Sequence, residues 1–206
     1  MKFRLHKPTL RLLAGLEGVE LGAAAHNPFG VKAINVAPEF DEQEYAEVQR
    51  GLGNEPAKID LYGHAGGIPV DDESQDFVLS SHVLEHIPDP ISAFLEWQRV
   101  VKPGGYVVMV VPQPNALPGD ERPVSNPDDI KQAYKEKWDW ETVPVKDAPG
   151  GHYWKFSAEM LKEFIADLRR GVRGRPGLKW ELIDEEDPDS KVGNGFWLAY
   201  RVETTE

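Results

Sequence analysis

The run Tyr106-Val107-Val108-Met109-Val110-Val111 constrains the fold most. It has no polar interruption and is rich in β-branched valine. That suits a central strand covered on both faces, since a solvated face would require alternation. Such a strand needs a sheet around it, and the flanking sequence supplies one. Further short apolar runs lie at residues 18–22, 31–36, 58–61 and 76–81. Helical patterns separate several of them. Residues 41–52 predict an exposed acidic helix ended near Gly51 and Gly53. Asp89-Pro90 offers an N-cap and a proline for the first helical position. Ile91, Phe94, Leu95 and Val101 then share one helical face, and Pro103-Gly104-Gly105 ends the segment. Strands alternating with helices predict an α/β domain with a mostly parallel sheet.

The alternation breaks after Pro112. Residues 112–151 carry many prolines and charges and no clear strand, with Tyr134, Trp138 and Trp140 among them. A stretch this long inside a domain is usually functional. Order resumes with Ser157, an N-cap for a helix whose Leu161, Phe164, Ile165 and Leu168 share a face. Two strands follow, around 178–183 and 195–202. In the last, Phe196, Leu198, Tyr200 and Val202 alternate with Trp197, Ala199 and Arg201. The 206 residues therefore read as a single domain, 1–206, with an insertion or lid at about 112–156. In open parallel sheets ligands bind beyond the carboxyl ends of the strands, which directs the search to the loops there.

Charge and composition narrow the partners. Twenty-three Lys and Arg against 35 Asp and Glu give a net charge of −12, which repels phosphate backbones, so no nucleic-acid partner is expected. The chain has no cysteine, which excludes disulfides, iron–sulfur clusters and thiolate nucleophiles and fits a cytoplasmic address. No apolar run reaches the roughly 18 residues that a spanning helix needs, so no membrane partner is expected. The basic N-terminus lacks the apolar core and cleavage site of a secretory signal.

Three ordered pieces carry a resemblance. Gly63-His64-Ala65-Gly66-Gly67-Ile68-Pro69 precedes Asp71-Asp72-Glu73-Ser74-Gln75-Asp76-Phe77-Val78. Ser81-His82-Val83-Leu84-Glu85-His86-Ile87-Pro88-Asp89 follows, and then Arg99-Val100-Val101-Lys102-Pro103-Gly104-Gly105. Together they resemble the class I S-adenosylmethionine-dependent methyltransferases, in particular the small-molecule group. The resemblance implies a Rossmann-like methyltransferase fold: a mostly parallel seven-stranded sheet in the order 3-2-1-4-5-7-6, with strand 7 antiparallel. It implies S-adenosylmethionine as cofactor. Glu20 and Gly22, followed by Ala23, fall at the family's first motif, where an acid helps hold the methionine amine and glycine allows close approach. The chain departs there, with Ala23-Ala24-Ala25 in place of further glycines. The crossover to the second strand is also too short for an ordinary helix. The acid that grips the ribose would fall at Ala37, so Asn35 or Glu39 is the expected substitute. His64 and Ala65 fall where the family meets adenine. Ser81, His82 and His86 follow strand 4 and line the pocket. His152, between the insertion and the next helix, is the expected general base, with His86 its partner in catalysis.

The expected activity is methyl transfer to an oxygen or nitrogen of a small molecule, with a sugar-like or otherwise hydroxylated metabolite as the acceptor class. Two alternatives stand beside it. One is a catalytically inactive binding module on the same fold. The other is a zinc peptidase, because His82-Val83-Leu84-Glu85-His86 matches H-x-x-E-H, with Glu159 or Glu163 as a third ligand. That chemistry needs both imidazoles on one helical face, and Pro88 leaves little helix. No metal is therefore expected. Lys162, Arg169, Arg170, Arg173, Arg175 and Lys179 read as a solvated basic face.

Overall fold

A computed structural model describes residues 3–39, 42–143, 149–171 and 177–203. Seven strands form one sheet in the order β3-β2-β1-β4-β5-β7-β6. They are β1 Glu17–Leu21, β2 Lys32–Ala37, β3 Leu61–Tyr62, β4 Gln75–Ser81, β5 Val101–Pro112, β6 Trp180–Glu186 and β7 Gly195–Val202. The first five pair in parallel, and β7 runs antiparallel to both β5 and β6. The fold class and strand order are those the resemblance implied.

The apolar run is indeed central: β5 lies between β4 and β7, and Val107 to Val111 are buried on both sides. One face of the sheet packs on α3 (Pro90–Val100) and α5 (Ala158–Leu168). The other packs on α1 (Lys7–Leu12) and on Phe29 from the β1–β2 crossover. Strand β7 shows the alternation expected of it. Phe196, Leu198, Tyr200 and Val202 join the first core, and Trp197 and Ala199 join the second.

Local chemistry explains the helix ends. The Asp89 carboxylate accepts from the Ser92 N–H at 3.0 Å, with Pro90 at the first turn, and α3 then buries Ile91, Ala93, Phe94, Trp97 and Val100. Ser157 caps α5 through the Met160 N–H at 3.2 Å. Helix α2 (Glu42–Gly51) follows β2. The crossover from β1 to β2 contains no helix, as its length required.

Two helices were not anticipated. One is α1, whose N-cap is the buried side chain of His6 rather than a usual capping residue. The other is α4 (Pro127–Glu136), inside the segment expected to be irregular. Asn126 caps it, Pro127 opens it and Asp128 and Asp129 fill its first turn. That is the same start signal as Asp89-Pro90 and was readable. Strand β3 is also shorter and later than expected, because only Leu61 and Tyr62 reach Val36 and Ala37. Of the basic cluster, Lys162, Arg169 and Arg170 pair with Glu185, Glu203 and Asp167, while Arg173 and Arg175 lie outside the described residues.

Candidate functional site

The carboxyl ends of β1, β2 and β4 open on a cavity of about 510 Å³. Gly22 makes the turn at the end of β1 with φ of 63°, and a Cβ there would lie 3.2 Å from Val83 Cγ2. Glycine is the residue for which that backbone is unstrained. The loop beyond it is held from outside. The Ala23 N–H donates to Asn35 Oδ1 at 2.9 Å, and the Ala25 N–H donates to Gln49 Oε1 at 2.6 Å. Gln49 is buried on α2 and also accepts from the Ala57 N–H at 3.0 Å.

These bonds change the reading of Asn35. Its Nδ2 donates to the Lys58 carbonyl at 2.8 Å, so both ends of its amide tie β2 to its neighbours. It is buried and absent from the cavity wall, so it fixes the loop instead of facing a ribose. Glu39 is exposed beyond Pro38 and is also absent from the wall. After β2 the wall is Val36, Ala37 and Pro38, and among the described residues no carboxylate lines the cavity.

Glu20 points to the opposite side of β1 from Leu21 and is not in the wall either. Burial pushes its carboxyl up to about 7, against the opposing pull of Lys191. Lys191 was not anticipated. It is buried, donates to the carbonyls of Arg4 at 2.9 Å and Pro28 at 2.7 Å, and sits 4.3 Å over the Phe29 ring. Burial brings its ammonium down to about 8, despite Glu20 and Asp189. Ser81 accepts from Asn27 Nδ2 at 3.3 Å, and neither Ser81 nor Ala23 lines the cavity. His26 does line it. Its Nδ1 and the adjacent Asn27 Oδ1 are buried without a hydrogen-bond partner among the described residues. Sequence reading had no signal for His26, because its neighbours Gly22, Val83 and His82 meet only in the folded chain.

His64 and Ala65 do reach the wall. The His64 Nδ1 accepts from the Gly66 N–H at 3.2 Å, and its ring meets Trp140 edge-on at 5.4 Å. This pair separates the cavity from a neighbouring one of about 470 Å³, lined by Tyr134 and Trp138 among others. Helix α3 pins the loop that carries them. Trp97 Nε1 donates to the Ala65 carbonyl at 3.0 Å, the Ile68 N–H donates to Glu96 at 2.7 Å, and Arg99 donates to the Ile68 carbonyl at 2.9 Å.

The third side carries the histidines. His82 has φ of 54°, and its N–H still donates to the Val110 carbonyl at 2.9 Å. A positive φ at a non-glycine residue is a strained conformation often found at working sites. The chain then makes one 3₁₀ turn, Leu84–His86, that buries Glu85 to 1 % exposure. His82 and His86 therefore do not share a helical face, and the helix that the peptidase reading requires is absent. Burial lowers the affinity of both imidazoles for protons. Burial pushes the Glu85 carboxyl up to about 8, against a backbone hydrogen bond that lowers it.

His152 is brought here from far along the chain. Its ring lies 4.6 Å from that of His86, edge-on, although it does not line the cavity itself. Burial, then the neighbouring His86 and Arg122, brings its imidazole down to about 4, so it is neutral at pH 7. Hydrogen bonds hold the segment in place. Tyr153 and Trp154 N–H groups donate to the Glu85 carbonyl at 2.8 and 3.2 Å. Trp154 Nε1 donates to the Ile87 carbonyl at 2.8 Å and Trp140 Nε1 to the His86 carbonyl at 3.1 Å. The aromatic residues of the segment thus divide. Trp138 stacks on Trp154 against the core, while Trp140 faces both cavities.

Comparison with known proteins agrees with this layout. Residues 15–109 match the family described as the methyltransferase domain. An uncharacterized methyltransferase of Mycobacterium bovis is 39% identical over 87 residues, 42% of this chain and 33% of that protein. The demethylmenaquinone methyltransferase of Bacillus subtilis is 29% identical over 124 residues, 52% of this chain and 53% of that one. The chain thus spans from a third to just over a half of the length of these curated relatives. Among solved structures, a methyltransferase of Methanosarcina mazei aligns over 98% of this chain and 99% of its own, with a TM-score of 0.55 at 15% identity. One from Aquifex aeolicus aligns over 96% and 90%, with a TM-score of 0.52 at 16% identity. Among the described residues no helix is long and apolar enough to cross a membrane.

Proposed function

We propose that this chain, whose residues 15–109 match the methyltransferase domain family, is a class I S-adenosylmethionine-dependent methyltransferase that methylates an oxygen or nitrogen of a small molecule. The observation that carries this reading is the 510 Å³ cavity, floored by the Gly22 turn and edged by the His86 and His152 pair. The residues present fit the cofactor. A glycine turn gives close backbone approach, His26 lines the wall with its unanswered Nδ1 buried behind it, and Ala65 and His64 offer a flat surface for a base. Gly22 and His26 would hold the methionine end, supported by Glu20. His64, Ala65 and His82 would hold the nucleoside end, with Glu39, exposed just beyond Pro38 of the wall, as the candidate ribose carboxylate. The cofactor supplies an electrophilic methyl group on a sulfonium, and the acceptor's lone pair forms the new bond as the carbon–sulfur pair stays on sulfur.

The acceptor meets His86 and His152 at the cavity's edge. His152, neutral at pH 7, takes its proton, and His86 orients it. Desolvation by Trp140 and Tyr153 strengthens the nucleophile, which gives residues 112–156 the role of a lid. The acceptor class is a sugar-like or other hydroxylated metabolite, and a net charge of −12 favours such a small molecule over nucleic acid. A cytoplasmic setting belongs to this reading and agrees with the absence of cysteine.

Calorimetric titration with S-adenosylhomocysteine tests the reading. Binding in the micromolar range supports it, and no binding at millimolar concentration removes it. With an acceptor in hand, His152→Ala should lower turnover by roughly a hundredfold, as for loss of a general base, and leave S-adenosylhomocysteine affinity unchanged. Glu20→Ala should weaken cofactor binding first. A second reading is the inactive binding module, favoured by one observation: among the described residues no carboxylate lines the cavity where a ribose would lie. Binding of S-adenosylhomocysteine without turnover across hydroxylated acceptors would support it.

A further inference from the structure

Glu85, His86 and His152 form the one group of three metal-ligating side chains found among the described residues. Their ligand atoms all lie within 4.8 Å of one another. We infer that these three residues bind a divalent first-row transition cation, which holds the oxygen of a hydroxylated acceptor at the edge of the methyl-transfer cavity. The inference rests on the methyl-transfer reading for its purpose, though not for the site. It departs from the expectation of no metal, because the third ligand comes from a part of the chain that the H-x-x-E-H spacing does not contain.

Four observations carry it. First, the His86 Nδ1 lies 3.2 Å from the Gly151 carbonyl and donates to it, which leaves Nε2 with a free lone pair. A second-shell bond of this kind fixes the tautomer of a ligating histidine. Second, that Nε2 lies 3.8 Å from Glu85 Oε1. Ligands about 2.0–2.2 Å from a tetrahedral metal are roughly 3.4 Å apart, so this pair needs to close by only a few tenths of an ångström. Third, Glu85 is 1 % exposed and its Oε2 has no hydrogen-bond partner among the described residues. A buried carboxylate oxygen left unanswered requires an explanation, and a cation supplies one. Fourth, His152 reaches the pair on a turn in which Gly150 and Gly151 both have positive φ, 64° and 71°. Its backbone is held in place by Arg122, which donates to the His152 carbonyl at 3.0 Å.

Two imidazoles and one carboxylate on one side of a cation leave coordination positions open on the other. His86 lines the 510 Å³ cavity, so the open side faces the acceptor. A hydroxyl bound there is acidified by the cation, and its proton passes to solvent. In the loaded protein the cation thus replaces His152 as the means of deprotonation. An acceptor with two adjacent oxygens would take two open positions, which selects oxygen over nitrogen as the methylated atom. Glu159 and Glu163, the third ligands of the peptidase reading, are not part of the group.

The test uses the full chain, stripped with a chelator and titrated with Co²⁺ alone. Calorimetry and visible d–d absorption should both report one Co²⁺ per chain. Glu85→Gln, which keeps the packing volume, and His152→Ala should each weaken Co²⁺ binding at least tenfold. Both should bind S-adenosylhomocysteine as the parent does, since neither side chain lines the cavity. That second titration also shows that the variants are folded. No Co²⁺ binding at millimolar concentration, or an affinity in both variants equal to the parent's, overturns the site. Stoichiometric Co²⁺ binding with no S-adenosylhomocysteine binding keeps the site and overturns the methyl-transfer reading instead.

Discussion

Helix α3 and the segment that joins β5 to α5 both border the site, yet they are held in different ways. The elements of α3 are adjacent in sequence: a capping Asp89, an opening Pro90 and one apolar face that sinks Phe94 and Trp97 into the core. Among its described residues the joining segment has a single helix of that kind, α4. The rest of it buries Trp154 and Phe156 in the same core, and its links to the site are polar. Trp140, Tyr153 and Trp154 donate to the carbonyls of Glu85, His86 and Ile87. Burial of apolar area holds the first region, and the second adds to its own buried side chains a few directional bonds to one 3₁₀ turn. The half-buried part of the second region, around Trp140, is free to specialise, because changing it puts little of the core at risk.

The largest expected effect would break this contrast if it failed. Trp97 is fully buried, meets Phe94 and Trp180, and bonds the Ala65 carbonyl. Trp97→Ala should cost about 3–5 kcal/mol in urea unfolding. Trp140→Ala should cost about 1 kcal/mol, the worth of one hydrogen bond and a half-buried ring, while altering ligand binding. Equal losses at the two tryptophans would end the distinction.

Next comes Glu20, on the strand side of the site. Its carboxyl rises from 4.5 in the unfolded chain to about 7 in the folded one. A raised pKa means that its contribution is full below pH 4.5 and is lost as pH rises to 7. The melting temperature of the parent should therefore carry a downward component across that window that Glu20→Gln lacks. Identical pH profiles would show that the group is solvated.

A smaller effect compares the two helix starts directly. Asp89→Ala and Asn126→Ala each remove a cap, worth about 1 kcal/mol apiece. If α4 is as local a structure as α3, the two losses should agree within a factor of two. A negligible loss for Asn126→Ala would mean that tertiary contacts alone hold α4. The smallest effect is on the surface. Lys162 pairs with Glu185 in solvent, and Lys162→Ala should change stability by less than about 0.5 kcal/mol. A larger change would mark the basic face as more than solvated charge.

Much of the scaffold was determined by the sequence alone. The valine run in β5, the alternation in β7, and the caps at Asp89 and Ser157 each state a conformation within a few residues, because the physics involved is itself local. Asn126-Pro127 stated one too, and only the expectation of an irregular insertion hid it. Gly22, His64, Ala65, His82 and His86, singled out through the resemblance, line one cavity. Tertiary structure alone decided the rest. Asn35 became a tie between β2 and its neighbours because the Ala23 N–H and the Lys58 carbonyl converge on it. Lys191 came to lie near Glu20, and His152 edge-on to His86, across long separations in the chain. No spacing rule encodes such meetings. They arise when hydrophobic burial, which ignores residue numbers, sets the positions from which a few polar groups must find one another.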